Sequence, residues 1–128
     1  MIPNSTRNFF RSANDGHVSH SYGELSPEIS TNFDTKEVSL LGNVIRALDS
    51  PLRIEIVLAL NERPHFVHEL VKRLDSSQPL ISQHLKVLKS AHVVEAERTG
   101  RQMTYFLAEP LVMDIFSLAL KAAKSEQV

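Results

Sequence analysis

SSQPLISQHLKVLKSAHVVEAERTGRQMTYFL, running from Ser76 to Leu107, decides the fold of this 128-residue chain. Ser77 is placed to cap a helix, and Gln78 and Pro79 fall in a first turn whose amides have no intrahelical partner to lose. Ile81, Leu85 and Leu88 then recur as one stripe that must be buried. The opposite face carries Gln78, Ser82, Gln83 and Lys86. Short amides and hydroxyls with one cation differ from the Glu/Lys mixture of an ordinary solvated helix. Gln pairs with N6 and N7 of adenine, Ser bonds to base edges of either kind, and Lys reaches phosphate or guanine, so this face holds what major-groove reading needs. A merely solvated face fits the same residues, and the flanking sequence has to separate the two readings.

Upstream, FVHELVKRLDSS places Val67, Leu70, Val71 and Leu74 at helical spacing, and only Asp75-Ser76 separates that helix from the next. This spacing predicts a helix-turn-helix. Downstream, VVEAE and QMTYFL are strand-like runs joined by Arg98-Thr99-Gly100-Arg101, where Gly100 supplies the positive φ of a hairpin turn. Arg98 and Arg101 at the tip would contact phosphates or enter the minor groove while the preceding helix lies in the major groove.

From about Leu40 to Leu120 the chain resembles the ArsR/SmtB winged-helix repressors of bacteria, and most closely their zinc-responsive actinobacterial members. The resemblance rests on ALDSPLRIEIVLAL (Ala47 to Leu60), VHELVKRL, SQHLKVLKSAHVV and RTGRQMTYFL, which follow the family's pattern in order and spacing. It implies a mainly α winged helix-turn-helix with a small β-hairpin: four helices, two strands and a last helix, dimerised through the first and last helices. It also implies a repressor that occupies double-stranded operator DNA as a homodimer and leaves on binding a metal or another inducer. The DNA contacts would fall on Ser77, Gln78, Pro79, Ser82, Gln83, Lys86, Arg98 and Arg101. One departure is His92, which stands where the family has glycine; in a left-handed conformation a side chain there costs about 1 kcal/mol.

Composition is consistent with one domain and a tail. No apolar run approaches the ~20 residues of a membrane span, IEIVLAL being short and interrupted by Glu55. No membrane partner is expected. The lack of cysteine and of an N-terminal apolar segment points to the cytoplasm and excludes thiolate sites. From Lys72 to Arg101 six lysines and arginines face three acids, a local +3 in a chain of formal net charge −1, so positive charge gathers on the proposed DNA face. Asp34 and Glu37 form a capping-box pattern that opens a helix to Leu48, with Val38, Leu41, Val44, Ile45 and Leu48 on a wide apolar face. After Pro110, a segment apolar on nearly all sides needs cover on two sides. The core supplies one, and a second copy of the chain is the natural cover for the other.

Residues 1–33 are rich in Asn, Ser, Pro and Gly without periodicity and are expected to form a flexible arm ahead of a DNA-binding and dimerisation domain over residues 34–128. Four of the six histidines fall in two His-x-x-His pairs, His17/His20 and His65/His68. On a helix such a pair shares one face, and two pairs supply four nitrogens for a tetrahedral zinc site; solvated histidines are the plainer reading. The resemblance adds that some relatives join an arm of one subunit to the start of the third helix of the other. Phe66 stands where those relatives carry cysteine, so zinc is expected as regulatory ligand, with nickel and cobalt as alternatives. Glu69, Asp15 and Glu24 are substitute ligands. The family's second metal site, on the last helix, is degraded: Leu111, Ala122 and Ser125 occupy matched positions. His84 reads as a partly buried, hydrogen-bonded residue. Three other functions stay open. The first is a repressor of the same fold that does not respond to metal, and the second a winged helix that binds proteins. The third, an enzyme, is disfavoured because no Ser/His/Asp set, phosphate loop or carboxylate pair accompanies the histidines.

Overall fold

The computed structural model describes residues 32–125. Helix α1 spans Thr35–Leu48, with Asp34 Oδ1 accepting from the Glu37 N–H at 2.8 Å and Glu37 Oε1 accepting from the Asp34 N–H at 3.0 Å. This is the reciprocal capping box the sequence suggested. Helix α2, Pro51–Glu62, starts with Pro51 just inside a Ser50 cap, where the missing amide costs nothing. The short strand β1, His65–Phe66, leads directly into α3, Val67–Arg73. Helix α4, Gln78–Ser90, is capped by Ser77, whose Oγ accepts from the Leu80 N–H at 3.3 Å. Strands β2, Val94–Thr99, and β3, Gln102–Leu107, complete the wing, and α5 covers Leu111–Ser125.

The strands form one antiparallel sheet in the order β1-β3-β2. In the hairpin Thr99 faces Gln102 and Val94 faces Leu107, leaving Gly100 and Arg101 as the two-residue loop. Gly100 has φ +65° and Arg101 is not in the left-handed region, the arrangement of a type II′ turn, which needs glycine at its first central position. The expected hairpin therefore has a third strand: His65 pairs with Tyr105 and Phe66 with Thr104, which anchors the wing to the start of the helix-turn-helix.

Asp34–Glu109 forms a compact unit. Its core is Ile56, Val57 and Leu60 of α2, Leu70 of α3, the Ile81-Leu85-Leu88 stripe of α4, Val93 just before β2, and Val94 and Leu107 from the sheet. Both helices of the helix-turn-helix end the same way. After α3 the Ser76 N–H donates to Val71 O (3.1 Å) and the Asp75 N–H to Lys72 O (3.4 Å); after α4 the Val93 N–H donates to Leu88 O (3.0 Å) and the His92 N–H to Lys89 O (2.9 Å). These are paired Schellman bonds, which place the residue after the cap in the left-handed region. Asp75 (φ +50°) and His92 (φ +61°) occupy it without being glycine. The substitution of His92 for the family's glycine is thus accommodated at the cost of strain, with no change of fold. Pro110 and α5 belong to a second unit, and the first turn of α5 is closed by the Met113 N–H donating to Pro110 O at 3.0 Å.

Candidate nucleic-acid interface and its supports

The Ser77 cap and Pro79 fix where α4 begins, and its buried stripe fixes which way it faces. Gln78, Pro79, Ser82, Gln83 and Lys86 are consequently exposed, as are Ser77 and, at the wing, Arg98 and Arg101. The Ser77 hydroxyl oxygen is used by the cap and its proton remains available to a phosphate. Arg98 pairs across the hairpin with Met103, and Arg101 is in the loop itself, so both cations sit at the far end of the sheet from its buried residues Val94 and Leu107. A groove of about 340 Å³ lies between the start of α3, the start of α4 and strand β3, lined by Val67, His68, Gln78, Gln102, Met103 and Tyr105.

Two arginine-histidine pairs brace this face. Arg53, in the first turn of α2, donates from Nε to Ala47 O (2.7 Å), from Nη2 to Arg46 O (3.2 Å) and Asp49 O (3.3 Å), and from Nη1 to Nδ1 of His84 (2.9 Å). A guanidinium only donates, so Nδ1 of His84 presents a lone pair and the proton is on Nε2. Burial, and then the Arg53 charge, hold His84 below its ordinary 6.5. The reading of His84 as a half-buried, hydrogen-bonded residue stands, and its partner is one the sequence reading passed over. The available signal was the position of Arg53: a cation in the first turn opposes its own helix dipole, so its charge has to serve something else.

The second pair concerns the expected metal ligands. His65 is 1% exposed; its Nδ1 lies 2.8 Å from Arg63 O, and its Nε2 takes an N–H from Arg73 Nη1 at 3.2 Å. Since Arg73 must donate, Nδ1 carries the proton and gives it to the carbonyl, leaving no lone pair for a metal in this conformation. Burial pushes the His65 pKa down. Arg73 is held in turn by Glu62 at 2.8 Å, whose pKa that contact lowers. His68 is exposed and stacks on Phe66, with ring centroids 5.6 Å apart at 16°. The expectation that His65 and His68 share one helical face is corrected by the structure: His65 is in β1 and His68 in α3, so spacing of three does not carry the argument. Glu69, a substitute ligand, accepts from the Phe66 N–H at 2.8 Å and pairs with Arg63 at 3.3 Å, the first of which lowers its pKa. Among the described residues no three His, Asp or Glu side chains converge on a metal-sized space. His17 and His20, with Asp15 and Glu24, lie outside the described residues.

Residues 50–96 match the family model described as "Bacterial regulatory protein, arsR family". The chain is 30% identical over 86 residues to the biofilm growth-associated repressor of Xylella fastidiosa, covering 67% of this chain and 75% of that one. The chain belongs to the ArsR family. Within that family it is 56% identical over 68 residues to the HTH-type transcriptional repressor SmtB of Mycobacterium tuberculosis; the match spans 53% of this chain and 50% of SmtB, so the chain spans about half the length of that relative. The solution structure of Mb0332 from Mycobacterium bovis, a homodimeric winged helix-turn-helix DNA-binding domain, superposes with a TM-score of 0.64 at 25% identity, over 77% of this chain and 94% of that one. ArsR relatives and ArsR architecture are those of transcriptional regulators, and this sets the enzyme alternative aside.

Proposed function

We propose that this protein is a transcriptional repressor that binds double-stranded operator DNA as a homodimer, with α4 in the major groove and the wing arginines on the flanking backbone. The observation that carries the reading is the exposed face of α4. Every residue the sequence singled out for base or phosphate contact is exposed, while Ile81, Leu85 and Leu88 on the other side are fully buried. A dimer is supported by α1, where Val38, Leu41 and Ile45 are 54%, 45% and 54% exposed, and by α5, which exposes Leu111, Ile115, Leu118 and Leu120. Apolar surface of that extent on two helices needs a cover, and a symmetric second copy provides one. The homodimeric state of Mb0332 favours the same assembly here.

The regulatory ligand in this proposal is zinc, with nickel and cobalt as weaker candidates. His17 and His20 of one subunit would join His68 of the other, and His65 would enter only on releasing Arg73. His68 shares the groove with Gln78, so a metal held there would be next to the first turn of the reading helix. To act as inducer it must favour a state in which the two reading helices no longer fit their half-sites. A second reading, repression without metal control, is favoured by one observation: both nitrogens of His65 are already engaged within the protein.

The test is selection of duplexes from a randomised pool by the full chain, repeated with zinc and with chelator. Enrichment of two related half-sites about one helical turn apart is expected, with zinc releasing the DNA. Enrichment unaffected by zinc supports the metal-independent repressor, and no enrichment at all refutes DNA reading.

A further inference from the structure

Arg53 does more than close a helix. Ala47 O, Arg46 O and Asp49 O belong to the last turn and C-cap of α1, whereas His84 is in the middle of α4. One guanidinium thereby ties the end of the helix with the exposed apolar face to the flank of the helix that presents Gln83 and Lys86. We propose that Arg53 and His84 are positioning residues for DNA reading: they fix the rotation of α4 relative to α1, and so the separation and facing of the two reading helices in a dimer. This rests on the dimeric DNA-binding reading above.

The physical case is one of directionality. The other links between α4 and the rest of its unit are mainly the contacts of Ile81, Leu85 and Leu88, and apolar contacts resist loss of area far more than they resist small rotations. A hydrogen bond of 2.9 Å from a charged donor resists rotation directly. The tips of outward side chains ride about 5–6 Å from a helix axis, so a rotation of about 20° moves them about 2 Å, enough to break a base contact. The donor is itself immobilised, because three of its bonds go to backbone carbonyls that cannot move without moving α1. Any shift of α1 is passed to α4 through the same pair.

The full-length protein is first used to select a duplex from a randomised pool. Affinities of wild type, His84→Leu and His84→Asn are then measured by fluorescence anisotropy for a single half-site, for the selected spacing, and for spacers one base pair longer and shorter. Each added base pair turns the second half-site by about 35°. Wild type is expected to discriminate against altered spacers by about tenfold or more. His84→Leu keeps single half-site affinity within about twofold, but its spacing discrimination falls to about threefold or less. His84→Asn places an amide oxygen near the former Nδ1 and restores discrimination. His84→Met serves as the second apolar variant if His84→Leu does not fold. Full spacing discrimination in the apolar variants, or equal loss at the single half-site and at all spacings, overturns the proposal and leaves the pair a stability element. If wild type selects no duplex or only single half-sites, the dimeric DNA reading fails, and this proposal with it.

Discussion

Replacing His92 by glycine should stabilise the protein, and the size of the effect follows from the end of α4. The Val93 N–H to Leu88 O and His92 N–H to Lys89 O bonds require a left-handed residue at position 92, and Val93 and Leu88 are both buried behind it, so the backbone has no freedom to relax. A Cβ at φ +61° costs about 1–2 kcal/mol. Little opposes its removal: the side chain is 84% exposed, and its contact with Glu95 is long at 3.5 Å, worth about 0–0.5 kcal/mol. Glycine also loosens the unfolded chain, which takes back about 0.4–1 kcal/mol. Central values of the three effects leave a gain of about 0.5 kcal/mol, or a rise in Tm of about 2–4 °C for a domain of this size. The assay is thermal melting followed by circular dichroism at one protein concentration, since dimerisation would couple Tm to concentration. Asp75→Gly after α3 should act in the same direction and add to it. An unchanged or lower Tm for His92→Gly refutes the strain argument, as does an equal rise for His92→Ala, which keeps the Cβ.

Arg53→Met should cost about 2–3 kcal/mol in urea unfolding, because a charged donor to three carbonyls and His84 is lost; a loss below about 0.5 kcal/mol would mean those bonds are exchanged for water without penalty. His65 and His84 both have folded pKa values below 6.5, so below that pH the unfolded chain binds more protons than the folded one. Stability should therefore be fully present above pH ~6.5 and fall as the pH drops from there toward the folded values, and a urea midpoint that is flat or rising from pH 6.5 to 5.5 contradicts the two neutral tautomers. Arg98→Ala and Arg101→Ala should each reduce the slope of log affinity against log salt by about 0.9 per subunit if they neutralise phosphates; an unchanged slope removes them from the interface. Deleting residues 1–33 should abolish zinc retention in equilibrium dialysis, and retention by the shortened chain would place the ligands in the remaining domain.

The order of helices, turn and wing was readable because each element announces itself locally. Ile81, Leu85 and Leu88 repeat at one helical period, Ser77-Gln78-Pro79 is a start signal, and Gly100 marks the hairpin. The positive φ at His92 was anticipated through the resemblance, whose pattern has glycine at that position. What escaped depends on partners distant in sequence. Arg53 finds His84 31 residues away and carbonyls of the preceding helix, and no period encodes that. Strand β1 has two residues and exists only through pairing with β3. The His65/His68 pair misled for a related reason. Spacing of three implies a shared face only inside a helix, and the helix here starts at Val67, after an extended Phe66 cap, so His65 lies ahead of it. The exposed face of α4 was readable as a whole, whereas the engagement of His65 by Arg73 and Arg63 required the folded chain.

The central claim is that α4 reads bases. It is tested most directly by comparing wild type and Gln83→Ala by fluorescence anisotropy on a selected duplex and on a scrambled duplex of the same length, across a range of salt. Loss of about 1–3 kcal/mol on the selected duplex alone, with the salt slope preserved, is the predicted result. An equal loss on both duplexes, or no loss on either, contradicts base reading by this helix.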